Sequence, residues 1–300
     1  MSTPSVAWLG AGRMGTTMVE RLLDQGFEVG VWNRTPDKVR ALVERGATQL
    51  AEPADARNFD VAWSMILDDR ALEALHGPAD GLLSQGPGSL LVWVDGSTVS
   101  TEAASRAAAA ASDAGISYVS APVSGNPGVV AAGRAIFAVS GPDAGVEAAR
   151  PVLEALGRAT YVVGEQVQAN VVKLATNALL AIVMQALAEV AVLGEKAGVS
   201  RADLLAFIND SAVGSPFSSY KTKSLVELDF TPTFTTEGQR KDARLALDLA
   251  AALESPMPLL STAEVAFSRT IASGLGAGKD LAAVLLTVAR DAGITLEPEM

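Results

Sequence analysis

Gly10, Gly12 and Gly15 stand in the run GAGRMG, between the apolar stretch SVAWL and the segment RMGTTMVERLLDQG, whose apolar residues recur at helical spacing. Each glycine has a mechanical use in a strand that turns into a helix over a bound phosphate. Gly10 permits the tight turn, Gly12 lets backbone approach a pyrophosphate, and Gly15 lets the helix lie close on the strand. The helix N-terminus then offers unpaired N–H groups and the positive end of its dipole. Alone, a glycine-rich turn says little; its weight comes from the strands and helices that the rest of the chain predicts.

Short β-rich runs alternate with helical ones through the first half. EVGVWN precedes TPDKVRALVERG, which predicts a helix with Thr35 as N-cap, Pro36 at its first position and Gly46 just past its end. FDVAWSMIL and LLVWVDGS read as buried strands, and STEAASRAAAAASDAG as a helix closed by Gly115. ISYVSAPV, RAIFAVSG, a short helix from about Asp143 and RATYVVG continue the pattern. Alternation of this kind predicts an α/β Rossmann domain, a doubly wound parallel sheet, over residues 1–164. In that setting the glycine loop predicts dinucleotide binding.

After Gly164 the strands stop. Residues 165–197 predict one long helix closed by Gly198, and Ser200 caps the next segment with Asp203 in the manner of a capping box. Further helical runs give an all-α C-terminal domain over residues 165–300. A length of 300 residues also favours two domains over one core.

The net charge of -11 argues against nucleic acid or an anionic membrane surface as partner, and leaves a small molecule. The chain has no cysteine, which excludes disulfides, thiolate nucleophiles and cysteine-bound zinc. The single histidine, His76 in ALEALHGPADG, reads as a helix-end residue facing solvent and builds no metal site. No basic segment precedes the first apolar run, so no signal peptide is expected. Residues 174–192 are apolar enough to suggest a membrane span, but Asn177, Gln185 and Glu189 interrupt them, which fits a buried helix better. A cytoplasmic enzyme is the expectation.

The end of the second strand separates the nicotinamide cofactors. An acid there would bind the ribose 2′-OH and repel a 2′-phosphate, whereas this chain has Asn33, Arg34 and Thr35. Arg34 can meet a phosphate in bidentate fashion, so NADP is favoured over NAD; the alternative is a solvated loop arginine.

Hydride transfer to a carbonyl needs a proton donor. Tyr118, Tyr161 and Tyr220 each lack a lysine four residues on, and one histidine supports no dyad. Lys173 is the only ionisable residue between Glu165 and Glu189, and Asn177 follows one turn later on the same helix face. Burial disfavours a charged ammonium and a nearby anionic substrate favours it. The alternative is a lysine whose stem covers apolar surface while its amine reaches water.

Nearly end to end, the chain resembles the β-hydroxyacid dehydrogenase family, which includes 3-hydroxyisobutyrate dehydrogenases, glyoxylate/succinic semialdehyde reductases and imine reductases. WLGAGRMGTTM resembles the opening cofactor motif, SMILDD the diphosphate-side loop and VDGSTVS the Asp-x-Ser-Thr segment near the nicotinamide ribose. SAPVSGNPG resembles the substrate motif, KLATN the catalytic motif and RKDARLALDLA the late Lys-Asp segment. The resemblance implies Lys173 as the catalytic lysine, with Asn177 helping to orient substrate. It implies cofactor contacts from Arg13 and Met14 beside the three glycines, and from Met65, Leu67, Thr98 and Lys241. Ser124 and Gly125 match the loop that holds a substrate carboxylate, with Asn126 beside them, while Phe234, Lys241 and Asp242 match residues bordering the site from the second domain. A homodimer or larger even assembly through the long helix is implied as well, and would explain why residues 178–193 are apolar on nearly every face.

One departure bears on the substrate. The family usually reads Ser-Gly-Gly where this chain has Ser124, Gly125, Asn126 and Pro127. The sequence therefore predicts an NADP-preferring oxidoreductase of small hydroxy acids and their semialdehydes or keto acids. Cyclic-imine reduction on the same scaffold is the alternative, although imine reductases of the family commonly replace the lysine. A cofactor-binding protein without turnover is a third reading.

Overall fold

Strands and helices alternate from Val6 to Gly164 in the computed structural model, which describes residues 3–77 and 80–299. The order is β1 (Val6–Leu9), α1 (Arg13–Asp24), β2 (Val29–Trp32), α2 (Arg40–Glu44), β3 (Thr48–Gln49), β4 (Val61–Ser64), α3 (Asp69–His76), β5 (Val92–Asp95) and α4 (Thr101–Asp113). Then come β6 (Ser117–Ser120), β7 (Val123–Ser124), α5 (Pro127–Ala131), β8 (Ala135–Ser140), α6 (Asp143–Leu156) and β9 (Gly157–Gly164). Spatially the strands run β3-β2-β1-β4-β5-β6-β8-β7, with β9 paired to β8. β1, β4 and β5 are buried along their whole length, as expected of strands covered by helices on both faces. Their alternate residues feed two apolar clusters, one holding Trp8, Trp63 and Phe137 and the other Leu72, Trp93 and Ala107.

Three details differ from the sequence expectation. The sheet is parallel from β3 through β6, but β8 runs antiparallel to β6 and β7. The reason is connection length: β7 and β8 are joined through the single-turn α5, too short for a parallel crossover. The predicted second helix opens as a 3-10 turn, Pro36–Val39, before α2; Thr35 holds the N-cap position, but its side chain makes no cap hydrogen bond. His76 does end a helix, but its ring lies 5.5 Å from that of Trp93 instead of facing solvent, and burial lowers its pKa.

The compact units are Met1–Lys173 and Leu174–Met300. The first turns of α7 (Gln168–Lys196) belong to the strand unit because they bond to it: Ala169 N donates to Ser140 Oγ at 2.9 Å and Lys173 Nζ to the Val123 carbonyl at 2.8 Å.

The second unit contains α8 (Arg201–Asp210), α9 (Pro216–Glu227), α10 (Thr236–Ala252), α11 (Pro258–Ala272) and α12 (Val284–Asp291). Gly198 closes the long helix with φ +82, and the Ser200 hydroxyl caps α8 by accepting from Asp203 N. Leu174, Ala178, Ala181, Met184, Ala188 and Ala191 form the buried seam of α7. This helix is long and apolar enough to cross a membrane by composition alone, yet 56% of its most apolar window is buried in the protein. Leu179 and Leu193 are 60% and 69% exposed, so apolar surface is left over on the opposite face.

A buried ion pair organises the segment before α10. Lys221 Nζ lies 2.6 Å from Asp280 Oδ1, and Asp280 Oδ2 accepts from Thr233 N and Thr233 Oγ1. Burial alone would raise this carboxyl; the Lys221 charge and these bonds outweigh it and hold the pKa below the ordinary value. A depressed acid adds stability above its unfolded value, near pH 4, that is lost as pH falls through the folded one. Asp280→Asn should therefore cost about 3–5 kcal/mol at pH 7 by stranding Lys221, and flatten the loss of Tm below pH 4. Thermal unfolding between pH 2 and 7 checks this; a wild-type Tm profile in the variant would contradict it.

Candidate functional site

The glycine loop is held from three sides. Gly10 adopts φ +113, and a Cβ there would fall 2.3 Å from the Met65 carbonyl oxygen. A Cβ on Gly15 would fall 2.2 Å from the Gly10 carbonyl, so α1 lies directly on the turn. Gly12 faces open space. Trp8 Nε1 donates to the Gly10 carbonyl at 3.1 Å from beneath, and the Trp8 ring stacks on Trp63 at 5.4 Å. Asn33 Oδ1 accepts from Ala11 N and its Nδ2 donates to the Thr35 carbonyl, which braces the loop against the turn after β2. The N-cap residue of α1, Gly12, brings no side-chain cap to the first turn, where Arg13 is exposed and Met14 half-buried. A helix start whose N-cap is an open glycine fits a phosphate. Arg34 and Thr35 are exposed beside it, and no acid stands at the end of β2.

A row of polar residues ends the neighbouring strands. Ser64, Asp95, Ser120 and Ser140 are register partners across β4, β5, β6 and β8, each with at most 1% of its surface exposed. Asp95 Oδ1 accepts from Ser64 Oγ at 2.7 Å and from Ser97 Oγ at 2.6 Å; Oδ2 accepts from Tyr118 OH at 3.3 Å. Burial pushes the Asp95 carboxyl up, with the Ser97, Ser64 and Tyr118 bonds opposing that, and burial pushes the Tyr118 hydroxyl well above its usual value. Ser97 Oγ also accepts from Ile66 N, which ties the loop bearing Met65 and Leu67 to the one bearing Thr98. Leu67 is 71% exposed and Thr98 half-buried.

Lys173 comes to the same edge of the sheet. Its half-buried amine donates to the carbonyl of Val123, the residue before Ser124. Ser124 and Gly125 are exposed, and Gly125 takes φ +151, an extended conformation that favours glycine. Asn126 has a local reason to be there: it is the N-cap of α5, its Oδ1 accepting from Val129 N at 3.1 Å. The structure thus brings Lys173, Ser124, Gly125 and Asn126 together at the carboxyl ends of the strands, where open α/β sheets bind ligands.

In the helical unit, Asn177 is buried, its Nδ2 donating to Asp242 Oδ2 at 2.6 Å and its carbonyl accepting from Gln239. Lys241 Nζ stands 2.9 Å from Asp242 Oδ1. Phe234 is half-buried, with its ring against Gly238. Asn177, Lys241 and Asp242 form one polar group, and Phe234 lies at the start of the same helix.

Ser64, Asp95 and Ser97 lie within the SMILDD and VDGSTVS motifs but were given no role of their own, and sequence reasoning did not single out Trp8 or Ser140 as parts of this edge. A usable signal was present: VAWS, VWVD, SYVS and AIFAVS each end an apolar strand on a polar residue.

The family of the NAD binding domain of 6-phosphogluconate dehydrogenase matches residues 5–164, and that of the NAD-binding domain of NADP-dependent 3-hydroxyisobutyrate dehydrogenase matches residues 168–288. A 3-hydroxyisobutyrate dehydrogenase of Pseudomonas aeruginosa is 35% identical over 88% of this chain and 91% of its own length. Glyoxylate/succinic semialdehyde reductase 1 of Arabidopsis thaliana is 32% identical over 94% of this chain and 98% of its own. The solved 3-hydroxyisobutyrate dehydrogenase of Mycobacterium tuberculosis with L-serine aligns at a TM-score of 0.85 and 28% identity, covering 96% of this chain and 99% of that one.

The steric part of the cradle is testable apart from its backbone strain. Gly26 also has positive φ, +80, but its Cβ would meet nothing. Gly26→Ala should cost about 1–2 kcal/mol and leave nucleotide binding intact, whereas Gly10→Ala should abolish saturable binding. Titration with NADPH and NADH decides; equal binding by both variants would contradict the cradle.

Proposed function

Because this chain belongs to the β-hydroxyacid dehydrogenase family and is an NAD(P)-dependent oxidoreductase of the 3-hydroxyisobutyrate dehydrogenase type, we propose that it interconverts a small hydroxy acid with its semialdehyde or keto acid, preferring NADP. The observation that carries the reading is the Lys173 amine on the Val123 carbonyl, next to Ser124. An ammonium has three N–H donors; Val123 takes one and fixes the direction of the group.

A bound nicotinamide supplies or accepts the hydride. In reduction Lys173 gives a proton to the oxygen of the former carbonyl; in oxidation the neutral amine removes the hydroxyl proton. The Ser124 hydroxyl and the Gly125 N–H, both on exposed residues, hold the substrate carboxylate. Asn177 orients the reacting oxygen. Arg34 binds the 2′-phosphate, in place of the acid that would repel it. Asn33 acts one step back, holding the glycine loop.

The exposed Leu179 and Leu193 support a further part of the reading, a second copy of this chain on that face of α7 in a homodimer or larger even assembly. The partners are otherwise small molecules in the cytoplasm, with nucleic acid and membrane disfavoured by the charge of -11.

Lys173→Ala should lower kcat by about 100-fold or more and leave NADPH affinity nearly unchanged, because general acid catalysis is worth about 10²–10⁴. Turnover with semialdehydes, keto acids and cyclic imines, alongside an NADPH titration, checks both parts. Near-normal turnover in the variant, or activity confined to imines, would contradict the assignment.

Arg34→Ala should weaken NADPH by about 1–3 kcal/mol and NADH little. Equal losses for the two would show that Arg34 does not bind the 2′-phosphate.

A further inference from the structure

Asp95 has no part in the proton transfer by Lys173, yet it is a carboxylate buried at the end of a central strand with neutral donors around it. Both atoms of Ser97 that can donate are turned on Oδ1, its hydroxyl at 2.6 Å and its N–H at 3.2 Å. The hydroxyls on Oδ1 are each used twice. Ser64 Oγ donates to Asp95 and accepts from Trp93 Nε1 at 2.9 Å; Ser97 Oγ donates to Asp95 and accepts from Ile66 N at 3.0 Å. Polarised in this way, a hydroxyl is a better acceptor for the next N–H.

An amide or a serine would occupy that position without the desolvation that a buried carboxylate suffers. What the carboxylate supplies is stronger, charge-assisted bonds to Ser97 and Ser64. Their effect is specific: Ser97 stands in the loop after β5, Ile66 in the loop after β4, and the hydroxyl of the first is the anchor of the second. The Met65 carbonyl beside Ile66 is also the atom against which Gly10 turns. Three loops at the carboxyl ends of β1, β4 and β5 thereby share one fixed point.

We propose that Asp95 is a positioning residue for the nicotinamide nucleotide, acting through Ser97 to hold the 65–67 and 96–98 segments in the one arrangement that the cofactor meets. The role rests on the NAD(P) reading of these loops. The side-chain bonds of Asp95 run to Ser64, Ser97 and Tyr118, so the expected effect falls on the cofactor side.

The experiment uses the full chain with Asp95→Asn, Ser97→Ala and Ser97→Thr, and NADPH as probe. Asp95→Asn and Ser97→Ala should raise the KM and Kd for NADPH about tenfold, the scale of one lost charge-assisted bond, while the KM for the hydroxy acid stays within about twofold. The Ile66 amide should lose hydrogen-exchange protection in both, without cofactor present. Ser97→Thr keeps the hydroxyl and should restore affinity and protection. Should Asp95→Asn fail to fold, the two Ser97 variants carry the same comparison. Wild-type NADPH affinity and Ile66 protection in Ser97→Ala would overturn the role alone. Absence of NADPH and NADH binding by the unmodified protein would overturn the cofactor reading, and this role with it.

Discussion

A polar group that cannot reach water must find a partner inside the protein, and leaving one unpaired costs about 1–3 kcal/mol. Ser64, Asp95 and Ser140 sit at the carboxyl ends of buried strands of one sheet under that requirement. Asp95 and Ser140 meet it by binding something that belongs to a connection, and Ser64 by binding Asp95. Ser64 binds Asp95, Asp95 binds Ser97, Ser97 binds Ile66, and Ser140 binds the N–H of Ala169 in the first turn of α7. The loops above the sheet are therefore shaped by the interior beneath them.

The same requirement explains how a long apolar helix presents a charged residue. The bond from Ala169 to Ser140 joins the start of α7 to the sheet, and one turn later the Lys173 amine meets the carbonyl of Val123. Beyond that point Leu174, Ala178 and Ala181 are buried in the core of the helical unit. Lys173 thus sits where the helix passes from one compact unit to the other, on the strand side of the division. Its neighbour there is the loop of Ser124 and Gly125, an acceptor and donor set suited to a carboxylate. A proton donor and an anion site on adjoining backbone are the two things that the proposed hydride exchange with a small hydroxy acid asks of a protein.

Much of this was legible in the sequence. The glycines, the strand-helix alternation, the acid-free turn at residues 33–35 and the solitary Lys173 each carry local physical meaning of their own. What was not legible depends on contacts distant in sequence or on elements too short to have a period. β7 holds two residues, so the reversal at β8 leaves no pattern. The Trp8 ring looks like any core aromatic until its indole N–H is seen under Gly10. His76 looks like a solvent-facing helix end until Trp93 is placed beside it. Asn126 reads as a change in the substrate loop, and the structure gives it a second, local occupation as the cap of α5. The row at the strand ends was visible as a repeated polar terminus, but only the register shows those residues to be neighbours.

The most direct measurement is a crystal structure of the protein with NADPH and a non-reacting hydroxy-acid analogue. The account predicts the pyrophosphate over Gly12, the analogue's carboxylate on Ser124 and Gly125, and its hydroxyl about 3 Å from Lys173 Nζ beside the nicotinamide C4. A nicotinamide lying away from Lys173, with that amine touching neither analogue nor cofactor, would contradict it.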